Sequence, residues 1–157
     1  MIKNKSSRTR TGLEVAVIGL AGRFPGARNI SEFWNNLKNG VESISFFSDE
    51  ELKGVGVDEK RLKNPNFVKG FAFLQDTEYF DSGFFGYTPK EAQMMDPQMR
   101  IAYEVTWEAL EDAGYNPDSY PGLIGLYAGA SSNLYWEFLT LTSGFDSMSE
   151  RFAANQL

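Results

Sequence analysis

The chain has neither cysteine nor histidine among its 157 residues. Without thiols it cannot form disulfide bonds or thiolate metal sites, and without imidazole it also lacks the other common ligand of zinc and haem. The same two absences remove the most frequent nucleophile and the most frequent general base of covalent catalysis. We therefore expect no catalytic residue and no metal ligand in this sequence.

Long apolar stretches are absent as well. No run approaches the roughly 18 uninterrupted apolar residues of a membrane span, and residues 1–12 contain no apolar segment after their basic start. Neither export nor membrane insertion is predicted, and a cytoplasmic location is expected. Residues 1–12 are polar and basic, which is typical of a flexible linker; a docking tail is the alternative interpretation.

Positive charge is scarce beyond that leader. Four of the 15 basic residues lie in residues 1–12, ahead of any acidic residue, so 11 basic residues remain to face 21 acidic ones. A body with this balance repels nucleic acid and anionic membranes, and neither is expected as a partner.

Apolar residues make up 42% of the chain and aromatic residues 15%, enough for a core of ordinary single-domain size. Leu13–Leu20 and Leu123–Ala130 are short, nearly continuous apolar runs of the kind found in strands buried on both faces. We predict that Val15–Ile18 and Leu123–Ala128 are strands of one mixed or parallel sheet, with a helix over Pro97–Ala113 packed against it. Phe67–Leu74 shows partial strand alternation within a charged surface excursion.

Helix starts are marked by local capping patterns. Ser31 is predicted to cap a helix that ends at Gly40. Ser48–Glu51 and Thr88–Glu91 are capping boxes, and Asp96 before Pro97 indicates another helix start. The carboxyl group of Asp96 is accordingly interpreted as a cap and not as an acid or base.

The glycine-containing turn Gly19–Gly26 invites comparison with phosphate-binding loops, but the spacing is not G-x-G-x-x-G and no G-K-[ST] follows. Phe24 adds bulk and Pro25 lacks an N–H group where a phosphate would need donors. A tight turn between strand and helix is favoured, and a small-ligand-binding α/β module stays as an alternative.

Several ordered motifs point to one family. Phe80–Ala92 reads FDSGFFGYTPKEA, Met95–Arg100 reads MDPQMR, and a turn with Arg23, Phe24, Pro25 and Gly26 follows the first apolar run. Together they resemble the N-terminal part of β-ketoacyl synthase domains of modular polyketide synthases. Gly22 stands where that family most often has a cysteine other than the nucleophile.

The resemblance implies an α/β architecture, namely an incomplete N-terminal part of a thiolase-like fold with layers in the order α-β-α. It covers residues 13–157 and implies a domain that continues past Leu157, because the catalytic cysteine and two histidines of the family have no counterpart here. It also implies a structural role for one set of motif residues: Arg23, Phe24, Pro25, Gly26, Asp96, Pro97, Gln98 and Arg100.

In the complete family, as the resemblance implies, a cysteine takes an acyl chain from the phosphopantetheine of an acyl carrier protein and condenses it with a malonyl-type extender after decarboxylation. The expected partners are the carrier protein, the remainder of the domain and a second copy in a homodimer. No cofactor is expected to bind to this chain, which by itself should be inactive. The resemblance also implies that the loop after the second run forms a wall of the acyl pocket, with these candidates: Ser131, Ser132, Asn133, Leu134, Tyr135 and Trp136.

Two other classes of function stay open. The chain could be a non-catalytic interaction half of a split or degenerate synthase, or the small-ligand module already mentioned. A cysteine elbow in the reading frame past residue 157 would favour the synthase. On the structural side, a helical or solvent-exposed conformation of either apolar run would contradict the thiolase-like assignment.

Overall fold

The computed structural model describes residues 11–142 and contains short helices and one small sheet. The helices are α1 (Ile30–Asn39), α2 (Asp49–Gly54), α3 (Glu59–Leu62), α4 (Pro89–Met94), α5 (Pro97–Asp112) and α6 (Leu134–Thr142). Strands β1 (Ser45–Phe46) and β2 (Gly70–Phe71) pair antiparallel, with Ser45 opposite Phe71. Most of the predicted linker lies outside the described residues. Within residues 11–142, no helix combines the length and the apolarity needed to cross a bilayer.

The capping patterns predict most helix starts correctly. In both capping boxes the side-chain oxygen accepts from the backbone N–H three residues on, with Ser48 Oγ 3.2 Å from the Glu51 nitrogen and Thr88 Oγ1 3.3 Å from the Glu91 nitrogen. The glutamates reach back to the cap nitrogens at 2.7 Å. Each box therefore satisfies donors that the first helical turn leaves unpaired.

The predicted cap of α1 is wrong by two residues. Asn29, and not Ser31, caps the helix, because its Oδ1 accepts from the Glu32 N–H at 2.9 Å. Asparagine is at least as good a cap as serine, and its extended backbone (φ −154°) suits the position. The predicted end is confirmed, since Gly40 adopts the left-handed conformation (φ 63°) that favours glycine.

Neither apolar run forms a strand, which corrects the predicted sheet. Residues 13–20 and 123–130 have no regular secondary structure, and no ladder of hydrogen bonds joins them to any described residue. Their side chains face solvent, with Val15 92% and Leu123 101% exposed. The physical reason is that a strand depends on a hydrogen-bonded neighbour, whereas the apolar pattern of a run depends only on its own residues.

The helix that was predicted to lie against these runs does lie there. A Cβ built on Gly19 would clash with the carbonyl oxygen of Ala109 and would be 2.8 Å from the Cβ of Ala113, so the first run touches the backbone of α5. The Leu20 N–H donates to Asp112 Oδ2 at 2.9 Å. Both runs and α5 line one apolar groove of about 640 Å³.

The FDSGFFGY segment packs on another face of α5 through its rings. Phe84 meets Trp107 edge to face at 4.9 Å between centroids, and the hydroxyl groups of Tyr87 and Tyr103 are 2.7 Å apart. This hydrogen bond is the main reason why the pKa of Tyr87 rises to about 12. Stacked and tilted rings complete the cluster: Phe80, Phe84, Phe85, Tyr87, Tyr103 and Trp107.

Complete burial is rare in the described part of the chain. The buried apolar side chains there are those of Ala27, Leu62, Ala92, Met94 and Met95, and both methionines are almost fully buried. This core is smaller than the composition predicts. The apolar residues that would enlarge it are those of the two runs, whose outer sides are not covered by any residue in the range 11–142.

Replacing Gly19 with alanine should weaken the contact between the first run and α5. The backbone of Gly19 is not left-handed, so the cost arises from the clash with Ala109 and Ala113, and we expect a loss of about 1–3 kcal/mol in the free energy of unfolding. Urea unfolding followed by tryptophan fluorescence measures it. Gly129→Ala is the matched control, because its Cβ would meet nothing within 4 Å. Equal effects of the two variants would contradict the close packing.

The isolated chain should self-associate. Unpaired backbone groups and exposed apolar side chains along residues 13–20 and 123–127 favour pairing with further copies. Light scattering over a range of concentrations should report species larger than a monomer. A monomer whose mass is independent of concentration would contradict this expectation.

Candidate functional site

The candidate pocket loop, residues 131–136, lies against the corner between α4 and α5. The Trp136 indole Nε1 donates to the carbonyl oxygen of Met94 at 2.9 Å, and Gln98 Nε2 donates to the carbonyl oxygen of Ser131 at 3.1 Å. The structure therefore joins two motifs that the sequence analysis treated separately, because Gln98 and Ser131 are 33 positions apart. The corner between α4 and α5 therefore binds both the first and the last residue of the loop, Ser131 and Trp136.

A third link joins the caps of two helices. Asp96 caps α5 by accepting from the Gln98 N–H at 2.8 Å, as predicted. Asn133 caps α6, because its Oδ1 accepts from the Trp136 N–H at 3.1 Å, and its Nδ2 lies 3.4 Å from Asp96 Oδ1. The sequence analysis identified no cap for α6. The signal was available, since asparagine just before an apolar segment is a preferred N-cap.

Arg100 is the buried charge of this site, with 9% of its surface exposed. Its Nη1 donates to the carbonyl oxygen of Glu78 at 3.3 Å, and its guanidinium carbon lies 5.7 Å from the centroid of the Trp136 ring. Its Nε has no hydrogen-bond partner among the described residues. Burial lowers the pKa of Arg100, an effect opposed by the negative charges of Asp96, Glu104 and Glu78.

The loop residues divide by exposure. Asn133 and Trp136 are half-buried and hold the loop in place, whereas Ser131, Ser132 and Leu134 are exposed, Leu134 by 73%. The side chain of Tyr135 lies outside what the structure describes. The six candidates are therefore not equivalent, because two of them are fastened to the corner and three can face a ligand or a partner.

The second structural motif, the turn Arg23–Gly26, is fastened to α5 by an ion pair. Arg23 binds Glu108 with both terminal nitrogens, at 2.7 Å for Nη1 and 2.5 Å for Nη2. A second carboxylate, that of Glu104, lies 3.8 Å from Nη2. Arg23 Nη1 also donates to the carbonyl oxygen of Arg28 at 3.1 Å. One guanidinium group thus joins both ends of the turn to two successive turns of the helix.

The pKa values of the two glutamates shift in opposite directions, although Arg23 lowers both. The hydrogen bonds from Arg23 lower the pKa of Glu108, and the same bonds raise the pKa of Arg23. The pKa of Glu104 is raised, chiefly because burial disfavours its charged form, and the attraction of the more distant Arg23 opposes that effect only partly. Glu108 is therefore the carboxylate that neutralises Arg23.

The turn itself is filled by its own side chains. Phe24 stacks on Phe33 at 4.0 Å, and a Cβ built on Gly22 would meet the Phe24 ring at 2.8 Å. The backbone N–H of Leu20 already donates to the carboxylate of Asp112. A phosphate would lose that donor and face a negative charge, so the geometry gives no support to a nucleotide site.

This arrangement can position a loop, and its chemical groups are hydroxyl, carboxyl and apolar side chains. The sequence has no thiol and no imidazole. Among residues 11–142, no group of three or more acidic side chains is placed to hold a metal ion. Chemically, the site provides exposed hydroxyl groups, exposed apolar side chains and a rigid support behind them.

Comparison with known proteins identifies relatives over most of the chain. Residues 13–155 match the model of the family described as "Beta-ketoacyl synthase, N-terminal domain". A phenolphthiocerol/phthiocerol polyketide synthase of Mycobacterium tuberculosis is 46% identical over 121 residues, which are 77% of this chain and 8% of that protein. Polyketide synthase PksN of Bacillus subtilis is 43% identical over 135 residues, which are 85% of this chain and 2% of that protein.

Solved structures give the same result. Ketosynthase twelve of the bacillaene polyketide synthase from Bacillus amyloliquefaciens is 44% identical, with a TM-score of 0.58, over 64% of this chain and 18% of that one. The ketosynthase from module 1 of the bacillaene synthase of the same species is 50% identical, with a TM-score of 0.52, over 64% of this chain and 16% of that one. The chain thus spans less than a fifth of these two solved ketosynthases.

Removing the Glu108 carboxylate should change how stability depends on pH. A lowered pKa in the folded state stabilises the fold above the ordinary value of 4.5, and this contribution is lost as the pH falls through the lowered value. Glu108→Gln should therefore be less stable than the parent at pH 7, and the two curves should converge on acidification. Urea unfolding between pH 3 and pH 7, on the order of five points, measures this. Glu50→Gln, an exposed change on α2, is the control; a constant difference at every pH would contradict the role of Glu108.

Proposed function

Because this chain belongs to the β-ketoacyl synthase family and corresponds to the N-terminal domain of polyketide synthase ketosynthases, we propose that it builds a non-catalytic wall of the acyl pocket in such an enzyme. Its fold is accordingly part of the thiolase-like α/β fold. The complete enzyme would transfer an acyl chain from a carrier protein to a cysteine and condense it with a malonyl-type extender.

One observation carries this proposal: the loop 131–136 is fastened to the α4–α5 corner at three points, yet its outer side chains stay exposed. A loop that serves only the local core would bury its apolar residues. Leu134 does not, although Asn133 and Trp136 on either side of it are half-buried. Rigid support behind an exposed, mixed apolar and hydroxyl surface suits a binding wall.

The proposed chemistry needs groups that this chain does not contain. A cysteine thiolate would attack the thioester carbonyl of the acyl-phosphopantetheine, and the carrier thiolate would leave. Decarboxylation of the malonyl thioester would release CO₂ and an enolate, whose carbon would attack the acyl-enzyme and return the cysteine thiolate. Histidines would stabilise the developing negative charge on oxygen. The part proposed for this chain is to hold the acyl chain while these steps occur.

A non-catalytic interaction half of a split or degenerate synthase is the second candidate. The exposed apolar runs favour it, because Val15, Val17, Leu123 and Tyr127 are each at least 81% exposed and leave a surface that another polypeptide could cover. Both candidates require that covering polypeptide. They differ in whether it carries a cysteine nucleophile, which the reading frame past residue 157 would reveal.

Incubation of the isolated chain with an acyl-pantetheine thioester should leave its mass unchanged. The exposed hydroxyl groups of Ser131 and Ser132 have no imidazole to act as their general base. Intact-mass spectrometry measures this, with hydroxylamine treatment as the control for a thioester or an oxygen ester. A stoichiometric, hydroxylamine-labile adduct on either serine would replace the proposal with a serine-nucleophile mechanism.

A second experiment tests the proposed function in a complete enzyme. It uses a hybrid in which this chain replaces the matching part of the module 1 bacillaene ketosynthase. We expect the hybrid to become acylated, and the same hybrid without its nucleophilic cysteine to stay unmodified. A hybrid that unfolds cooperatively like its parent but accepts no acyl group would contradict the proposed role of the chain.

A further inference from the structure

We propose that Asp96 and Asn133 act as a coupled pair of helix caps that sets where α6 begins, and thereby places the wall of the acyl pocket. The second part rests on the proposed function, whereas the first part stands on geometry alone. Both would be positioning residues, because they act on the loop and not on the reacting atoms.

Asp96 Oδ1 takes part in both caps. It accepts from the Gln98 N–H at 2.8 Å, which starts α5, and the Asn133 amide approaches the same oxygen at 3.4 Å. An ionised carboxylate only accepts hydrogen bonds, so the partner across this gap must be a donor. The contact is partly buried, where a hydrogen bond to a charged group contributes more than it does in water.

Asn133 is suited to this position by having both kinds of group. Its Oδ1 accepts from the Trp136 N–H at 3.1 Å, and its Nδ2 points to Asp96. Aspartate or serine would cap α6 as well as asparagine does. Aspartate, however, would place a second carboxylate beside Asp96, and serine would offer only one short hydroxyl group. Capping of α6 alone therefore does not account for an asparagine at position 133. The additional contact of its amide group with Asp96 does account for it.

The start of α6 matters because the exposed residues Ser131 and Ser132 precede the helix and the exposed Leu134 is its first residue. Trp136, in the first turn, is fastened to Met94 by its indole N–H. If the cap pair is broken, this link and the one from Gln98 to Ser131 remain, so the loop should stay attached while its direction near Leu134 becomes less fixed. The expected result is a change in the ordering of α6, and not an unfolded chain.

Three variants separate coupling from capping. Asn133→Asp keeps the cap of α6 and adds repulsion, and Asn133→Ser keeps the cap and removes the link. The double variant Asp96→Asn with Asn133→Asp exchanges the two side chains. The amide group at position 96 then donates, and the carboxylate at position 133 accepts. Asn116→Asp is the matched control, because this asparagine accepts from the Asp118 N–H in a separate turn at the surface.

Hydrogen–deuterium exchange of the 157-residue chain, read by mass spectrometry over peptides from residues 134–142, tests the coupling. We expect exchange in Asn133→Asp to be faster by about tenfold or more, the equivalent of one lost hydrogen bond to a charged group. Asn133→Ser should also be faster, and the double variant should return to within about twofold of the parent. A cap without coupling predicts no change in either single variant, and that result, or a double variant as fast as Asn133→Asp, would overturn the pair.

The same variants in the ketosynthase hybrid test the consequence for the pocket. Asn133→Asp should raise the KM for a long acyl-pantetheine thioester more than that for acetyl-pantetheine, and the double variant should reverse the change. If exchange follows the pair but the KM values do not, the caps are coupled and the proposed pocket wall is wrong. If the unsubstituted hybrid accepts no acyl group, the proposed function fails independently of the cap pair.

Discussion

The described structure depends on contacts with one helix, α5. Its N-cap Asp96 and its first turn, at Gln98, receive the pocket loop, and Glu104 and Glu108, one turn apart, bind the Arg23 turn. Its last turn touches Gly19 of the first apolar run. These attachments are mostly polar or backbone contacts, which are directional, so α5 fixes where each segment lies even though few side chains are fully buried. Contacts with α5, more than a large buried core, therefore hold these segments in place.

Sequence analysis predicted the local features well and the non-local ones poorly. Capping depends on residues within three positions of each other, so the starts of α2, α4 and α5 could be read directly. The start of α1 was misplaced because Asn29 and Ser31 are both good caps and the pattern alone does not choose between them. The link between Gln98 and Ser131 spans 33 positions, and neither residue carries a signal of the other. The motifs were identified, but their contact was not.

Solvent exposure of the two apolar runs proved too strict a test of the thiolase-like assignment. Solvent exposure of either run was expected to contradict a thiolase-like assignment, yet both are exposed and the chain belongs to the family. Alternating side chains along these runs are apolar on both faces, which is the pattern of a strand covered from two sides. α5 covers one side of the first run in this chain. The pattern therefore describes a strand that is covered on both sides, whereas the exposure reflects only the described residues around each run.

Burial of Arg100 beneath Trp136 also bears on the order in which the chain is made. During synthesis, residue 100 leaves the ribosome before residue 136, so its guanidinium group first meets water and not an indole ring. The surface on which the loop later settles then carries a hydrated cation, which makes premature association with other nascent chains less favourable. The arrival of the loop brings the Trp136 ring to 5.7 Å from the guanidinium carbon. The positive charge of Arg100, whose burial costs free energy in the folded chain, thus disfavours association of the partly synthesised chain.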